Sequence, residues 1–296
     1  VESLEKANSR ISADIAKQRK QAESVTDDMM EEVQTLLELF GIPWVLAPTE
    51  AESQCAMLEQ LGLVDGVVTD DSDAFLFGAR NVFKNIFNDK KYLEWYRMES
   101  IEAEMRLTRM SLINLALLLG SDYTEGVRGV GPVNAVEIDL AFQGDLEEFK
   151  HWVYTPSHDY DFTRGTGGDK GAERLRREFS KRHENVRKTW DVSTEFPSEM
   201  VVQAYLNPQV DRSEEPFEWS EPDVQRLQEF CEKRLDWSHE FTLTQLDPAI
   251  KALSTRTFQT RIDGFTDFWS RAAKFKSKRV RKVFEAAGGA ADIGCD

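Results

Sequence analysis

Between residues 44 and 119 the chain alternates short apolar runs with amphipathic stretches, and acidic residues sit where one gives way to the other. The runs Trp44-Val45-Leu46-Ala47 and Gly66-Val67-Val68-Thr69 are too short for helices and too apolar for surface loops, so they read as buried strands. Residues 81–85 and 92–96 are further strand candidates. Helical spacing predicts helices over 50–61, with Ala51, Cys55, Leu58 and Leu61 on one side, and over 100–106 and 109–119. Strands alternating with helices restrict the fold to an α/β layer, a mostly parallel sheet flanked by helices.

Around this core the pattern changes. Residues 1–40 read as helix, with Met29, Met30, Val33, Leu36, Leu37 and Phe40 as the stronger stripe, Thr26 and Asp27 as starts and Gly41 as the stop. Residues 120–132 are glycine-rich and join two helical stretches, the second covering 133–142 with Pro132 at its start. Residues 154–171 read as a flexible polar loop and 172–188 as a basic helix. Residues 196–255 hold short helices parted by Pro197, Pro208, Pro216, Pro222 and Pro248. The expected divisions are 1–40, 41–150, 151–255 and a basic tail at 256–296.

Composition narrows the chemistry. Among 296 residues, 37 Lys and Arg face 53 Asp and Glu, a formal net charge of -16, which argues against a protein that coats nucleic acid along its whole surface. It leaves two arrangements open besides a solvated acidic surface: acids gathered for metal ions, and bases gathered elsewhere. The three cysteines, Cys55, Cys231 and Cys295, are widely spaced and odd in number, which excludes a disulfide framework and a cysteine zinc site. No apolar run is long enough to span a membrane, and residues 1–6 do not resemble a secretory signal.

Five carboxylates stand at the expected strand and helix ends. Glu50 and Glu52 lie where the first run passes into a helix, Asp71 and Asp73 follow the second run, and Asp122 ends the helix before the glycine-rich turn. Ligands of open α/β sheets bind beyond the carboxyl ends of the strands, so the first two pairs are expected on one edge. Carboxylates without His or Cys are hard oxygen donors that suit Mg²⁺ or Mn²⁺, and a pair of such ions suits phosphodiester hydrolysis. Any single pair is better accounted for by acids favouring a helix N-terminus or capping a turn; all five together favour the metal reading. The histidines, His151, His158, His183 and His239, lie outside these segments and are expected at the surface.

Several segments resemble the internal nuclease region of the flap endonuclease/XPG family: Ala47-Pro48-Thr49-Glu50-Ala51-Glu52-Ser53-Gln54-Cys55-Ala56, Thr69-Asp70-Asp71-Ser72-Asp73, Leu76-Phe77-Gly78 and Leu118-Leu119-Gly120-Ser121-Asp122-Tyr123. The Asp-Asp-Ser-Asp run and Tyr123-Thr124-Glu125-Gly126 are most similar to the XPG branch, which incises 3′ to the lesion in nucleotide excision repair. Weaker likeness continues through Ala204-Tyr205-Leu206-Asn207-Pro208 and Pro216-Phe217-Glu218-Trp219. The resemblance implies a PIN-like, resolvase-like core that cuts DNA at junctions of duplex and single strand (bubble, splayed arm, flap). It implies that two Mg²⁺, replaceable by Mn²⁺, are held by Glu50, Glu52, Asp71, Asp73 and Asp122. It implies a helix-two-turn-helix at about 112–142, with K⁺ on the carbonyls of Gly126, Val127 and Val130 and phosphate contacts from Gly129 and Gly131, helped by Arg128. Asn134, like Val133, stands where flap endonucleases often carry basic residues. Residues 1–40 become the end of a spacer and a helical gateway.

The family's active site also draws on an N-terminal nuclease region that precedes these segments, so weak or no activity is expected from this chain alone. Alternatives are a flap endonuclease or 5′ exonuclease of the same family, or a non-catalytic junction scaffold. A nuclear location and repair-protein partners are implied. Lys170, Arg174, Arg176, Arg177, Lys181, Arg182, Arg187 and Lys188 form one basic cluster, and Arg271, Lys274, Lys276, Lys278, Arg279, Arg281 and Lys282 a second. Either suits duplex phosphates or a solvated helix face, and the second also suits a nuclear import signal. Gln259, Ile262 and Phe265 have the spacing of a sliding-clamp peptide, with Thr266 in place of its second aromatic.

Overall fold

The computed structural model describes residues 25–86, 93–254 and 278–286. They fall into two compact units. The first comprises residues 25–45 and 216–254. Helix α1 (Asp27–Leu39) begins as expected, with Thr26 in extended backbone and its hydroxyl accepting the Met29 N–H at 3.3 Å. It stops at Gly41, whose φ of +68° suits glycine, and any Cβ there would lie 2.1 Å from the Ser220 carbonyl oxygen. Leu39 packs with Leu227 and Leu246 in a small apolar core, and Arg234 pairs with Glu32 at 2.9 Å.

The second unit carries the sheet. Helix α2 (Ala51–Gln60) leads to β1 (Val67–Val68), the short α3 (Asp73–Leu76), β2 (Asn81–Lys84) and β3 (Glu94–Arg97). Strands β1 and β2 pair parallel, with Val67 opposite Val82, while β2 and β3 pair antiparallel, with Phe83 opposite Trp95. Among the described residues the sheet is therefore small and mixed, with one parallel pairing, where the sequence suggested a mostly parallel one. The buried Glu59 carboxylate fixes its register, accepting the N–H groups of Arg80 at 2.7 Å and Asn81 at 2.9 Å. The strand expected at Trp44–Ala47 does not form. Trp44, Val45 and Leu46 are exposed, and an apolar run becomes a strand only against a neighbour's backbone, which no described residue supplies.

Helices α4 (Met98–Met105), α5 (Arg109–Leu119), α6 (Pro132–Ala141), α7 (Leu146–Tyr154), α8 (Lys170–His183) and α9 (Glu199–Leu206) complete the unit, with α12 (Lys278–Ala286) returning to it. Helices α10 (Val224–Leu235) and α11 (His239–Ser254) belong to the first unit. The core between α5 and α9 is aromatic: Phe142, Phe149, Trp152 and Phe179 are almost wholly buried and meet at angles from 29° to 84°.

Several expectations are corrected here. The 154–171 segment, expected to be a flexible loop, is tied down: Tyr160 is buried with its hydroxyl donating to Glu148 at 2.6 Å, and Arg164 pairs with the same carboxylate at 2.9 Å. Arg176 and Arg187 leave the basic cluster altogether. Each is buried and donates to main-chain carbonyls, Arg176 to Arg164 and Arg187 to Trp152, with the guanidiniums over the rings of Phe142 and Trp152. His183 is buried, not superficial. Residues 1–24, Gln259, Ile262, Phe265, Arg271, Lys274 and Lys276 lie outside the described residues.

Candidate active site

Strand β1 ends in a chain of short-range hydrogen bonds that fixes the aspartates. The Thr69 hydroxyl accepts the Asp71 N–H at 3.0 Å, and Asp71 Oδ1 accepts the Asp73 N–H at 2.9 Å. Asp73 opens α3, half-buried, while Asp71 stays exposed. Glu50 is the extended residue before α2, but its side chain does not cap that helix. Its Oε1 instead accepts the Tyr123 hydroxyl at 2.5 Å. The start of α2 is pinned by Gln54, which exchanges two hydrogen bonds with the Asp211 main chain at 2.9 and 2.8 Å. Asp122 follows the end of α5, inside a turn closed by reciprocal bonds between Ser121 and Thr124 at 2.8 and 3.2 Å.

Electrostatics report how these groups sit together. Burial pushes the Asp73 carboxyl above the usual range; the Tyr205 hydrogen bond opposes this, and the charges of Asp71, Asp122 and Glu50 add to it. Four of the five anticipated carboxylates thus act on one point, although three separate chain segments supply them. Glu52 lies in the first turn of α2, where its charge is felt at the Cys55 thiol, itself pushed up chiefly by burial. Among the described residues no three His, Cys, Asp or Glu side chains are gathered tightly enough to cage an ion unaided. The donor set nevertheless suits a hard dication: it is all carboxylate oxygen, and its like charges repel across a half-buried site that a cation would relieve.

Two tyrosines that sequence reasoning passed over belong to this site. Tyr205, fully buried on α9, donates to Asp73 Oδ2 at 3.1 Å, and its ring meets Tyr123 edge-on at 5.1 Å. Both phenols are held well above the usual range. Burial is the main cause in each; the Glu50 bond and charge follow for Tyr123, while for Tyr205 a hydrogen bond with Ser121 opposes the rise and the Asp73 charge and bond add to it. Tyr123 adjoins Asp122 in sequence and was open to suspicion on that ground. Tyr205 lies in the family-like segment 204–208, but no acid beside it in sequence pointed to this site.

The glycine-rich turn joins α5 to α6. Gly126 has φ +76°, and a Cβ there would meet the Gly120 nitrogen at 2.4 Å, so only glycine fits. Val127 and Val130 are buried, and the Val127 carbonyl accepts the Val130 N–H at 3.0 Å. Arg128 and Gly129 are exposed, and the Arg128 carbonyl accepts the Asp191 N–H at 3.1 Å. Gly131 differs from Gly126: its φ of -102° is ordinary, and a Cβ would meet nothing within 4 Å. Among the described residues nothing requires glycine at 131. Helix α6 begins there with Pro132 first and without a side-chain cap on its first N–H groups.

Past this turn, α6 carries a buried acid. Glu137 takes the guanidinium of Arg182 at 2.9 Å, Arg279 Nε at 2.8 Å and His183 Nε2 at 3.2 Å. Burial raises its carboxyl, but the bonds from His183 and Arg279 and the charge of Arg182 prevail and take it down to about 2. Asn134, anticipated as a DNA contact, accepts Arg279 Nη2 through Oδ1 at 3.0 Å. Lys170, Arg174, Arg177 and Lys181 remain exposed on α8, Arg177 lying over the Phe162 ring at 4.6 Å.

Known proteins resemble this chain. Residues 41–122 match the family described as the XPG I-region. A solved structure of the catalytic core of Rad2 in complex with DNA substrate is 43% identical, with a TM-score of 0.64, over 80% of this chain and 72% of that one. The chain belongs to the XPG/Rad2 nuclease family. Among curated XPG/Rad2 relatives, the DNA repair protein RAD2 of Saccharomyces cerevisiae is 41% identical over 86% of this chain. The DNA excision repair protein ERCC-5 homolog of Xenopus laevis is 41% identical over 90% of it. The chain spans 24% and 22% of the lengths of these two relatives. Within the XPG/Rad2 frame the five carboxylates and the glycine-rich turn fall in, or directly after, the matched I-region.

Proposed function

We propose that this chain is part of a structure-specific DNA endonuclease that hydrolyses phosphodiesters at junctions of duplex and single strand, acting in nucleotide excision repair in the nucleus. The observation that carries the reading is that Asp73 and Glu50, from separate segments, are held by the touching phenols Tyr205 and Tyr123, with the charges of Asp71 and Asp122 also bearing on Asp73. The names of its relatives, DNA repair and excision-repair proteins, point the same way. Glu50, Glu52, Asp71, Asp73 and Asp122 would hold Mg²⁺, with Mn²⁺ as a substitute; bound there, such ions supply Lewis acidity toward phosphate oxygens and an activated water. The residues supply the rest: fixed oxygen donors, phenols that hold two of them, and a half-buried setting that strengthens every charge interaction.

Duplex is gripped apart from this centre. Gly129 and Gly131 let the turn approach the phosphate backbone, Gly126, Val127 and Val130 offer carbonyls to K⁺, and Arg128 and Asn134 flank them. Lys170, Arg174, Arg177 and Lys181 extend the positive surface along α8. Incision of labelled bubble, splayed-arm, flap and nicked substrates, run beside binding titrations, tests this in the full-length protein. Asp71→Ala or Glu52→Ala is expected to abolish Mg²⁺-dependent incision while junction affinity stays within about twofold. Retained incision would reject the assignment. Cut position separates XPG-type incision from that of a flap endonuclease or 5′ exonuclease.

A further inference from the structure

Tyr205 reaches the acidic centre from far along the chain and is fixed at both ends. Its hydroxyl donates to Asp73 Oδ2 at 3.1 Å. Its carbonyl accepts Arg109 Nη2 at 2.8 Å, and the same guanidinium donates through Nε to the Leu76 carbonyl at 2.7 Å. Asp73 and Leu76 are the first and last residues of α3. Arg109 and Tyr205 therefore clamp that one-turn helix at both ends. The ring is wedged between Phe77, 5.2 Å away, and Tyr123, which meets it edge-on. Tyr123 in turn donates to Glu50 Oε1. A single phenol pair thus joins two acids that lie in separate segments, each held by one oxygen.

The chemistry of the link matters. A Lys or Arg in this place would cancel carboxylate charge and compete with a cation. A phenol orients a carboxylate while leaving its charge in place.

We propose that Tyr205 is a positioning residue of the metal centre, holding Asp73 by Oδ2 so that Oδ1 is presented to a divalent cation, with Tyr123 doing the same for Glu50. This rests on the metal reading given above. Outer-sphere partners of this kind change metal affinity by about 10- to 100-fold, whereas loss of one hydroxyl with the ring retained leaves the ring's packing against Phe77 and Tyr123 in place.

Calorimetric titration of Mn²⁺ into the chain, paired with thermal melts, tests it. Tyr205→Phe is expected to weaken Mn²⁺ binding at least about tenfold and to move the melting temperature by only a few degrees. Equal Mn²⁺ affinity in Tyr205→Phe and the parent would overturn the proposal. Absence of saturable Mn²⁺ binding in the parent would overturn the metal reading itself, a distinguishable failure. Should Tyr205→Phe not fold, 3-fluorotyrosine at 205 keeps ring and hydroxyl and alters only donor strength. Its Mn²⁺ affinity is then expected to differ from that of the parent, and an unchanged affinity would count against the proposal.

Discussion

At the scale of single residues, this chain repeatedly sets one charged group among several partners. Glu137 is the strongest case. With its side chain 1% exposed, it answers two arginines and a histidine. Its carboxyl is depressed from about 4.5 to about 2, so its stabilising contribution is complete above the ordinary carboxylate range and disappears as the pH falls through about 2. That contribution is on the order of 3 kcal/mol at neutral pH. Glu137→Gln is expected to lower the melting temperature at pH 7 and to flatten the stability loss between about pH 4.5 and about pH 2. Melts recorded across that window check it, and an unchanged acid limb would show that Glu137 is not the group titrating. The sequence placed Arg182 and Arg279 in basic patches and His183 on the surface, because helical periodicity says nothing of a buried acid on a neighbouring helix.

At the scale of elements, legibility followed the range of the forces. Helices α1, α2, α5 and α6 lie close to where caps and spacing put them, since Thr26, Gly41 and Pro132 act within a few residues. The run at 44–47 failed as a strand because pairing depends on a distant backbone. The carboxylate positions were readable from their places beside β1 and α2; the Tyr205 bond to Asp73 spans 132 residues and was not. The turn between α5 and α6 separates two uses of glycine. Gly126→Ala places a Cβ against the backbone of Leu119 and Gly120 and is expected to destabilise the unit well beyond 1 kcal/mol. Gly131→Ala meets open space and is expected to leave the melting temperature nearly unchanged while weakening duplex binding several-fold. Melting and binding measured on both variants check this; duplex binding unaffected by Gly131→Ala would remove the phosphate role from that residue.

At the scale of the whole molecule, a net charge of -16 and the proposed DNA substrate are reconciled by sorting. Acids cluster at the strand end around Asp73, while exposed Lys and Arg line α8 and two further arginines turn inward as structural ties. Composition alone conceals this, because counts do not record position. In the proposed enzyme, segments around residues 50, 73 and 122 meet as one cation-binding centre. Mn²⁺ added below stoichiometry to the ¹⁵N-labelled chain tests that claim most directly, since the paramagnetic ion broadens only nearby amides. The amide signals of residues 50–53, 71–74 and 121–123 are expected to broaden together, ahead of all others, and to recover with Asp73→Asn. Broadening confined to one of these segments, or spread over other acidic surfaces such as Glu214 and Glu215, would contradict it.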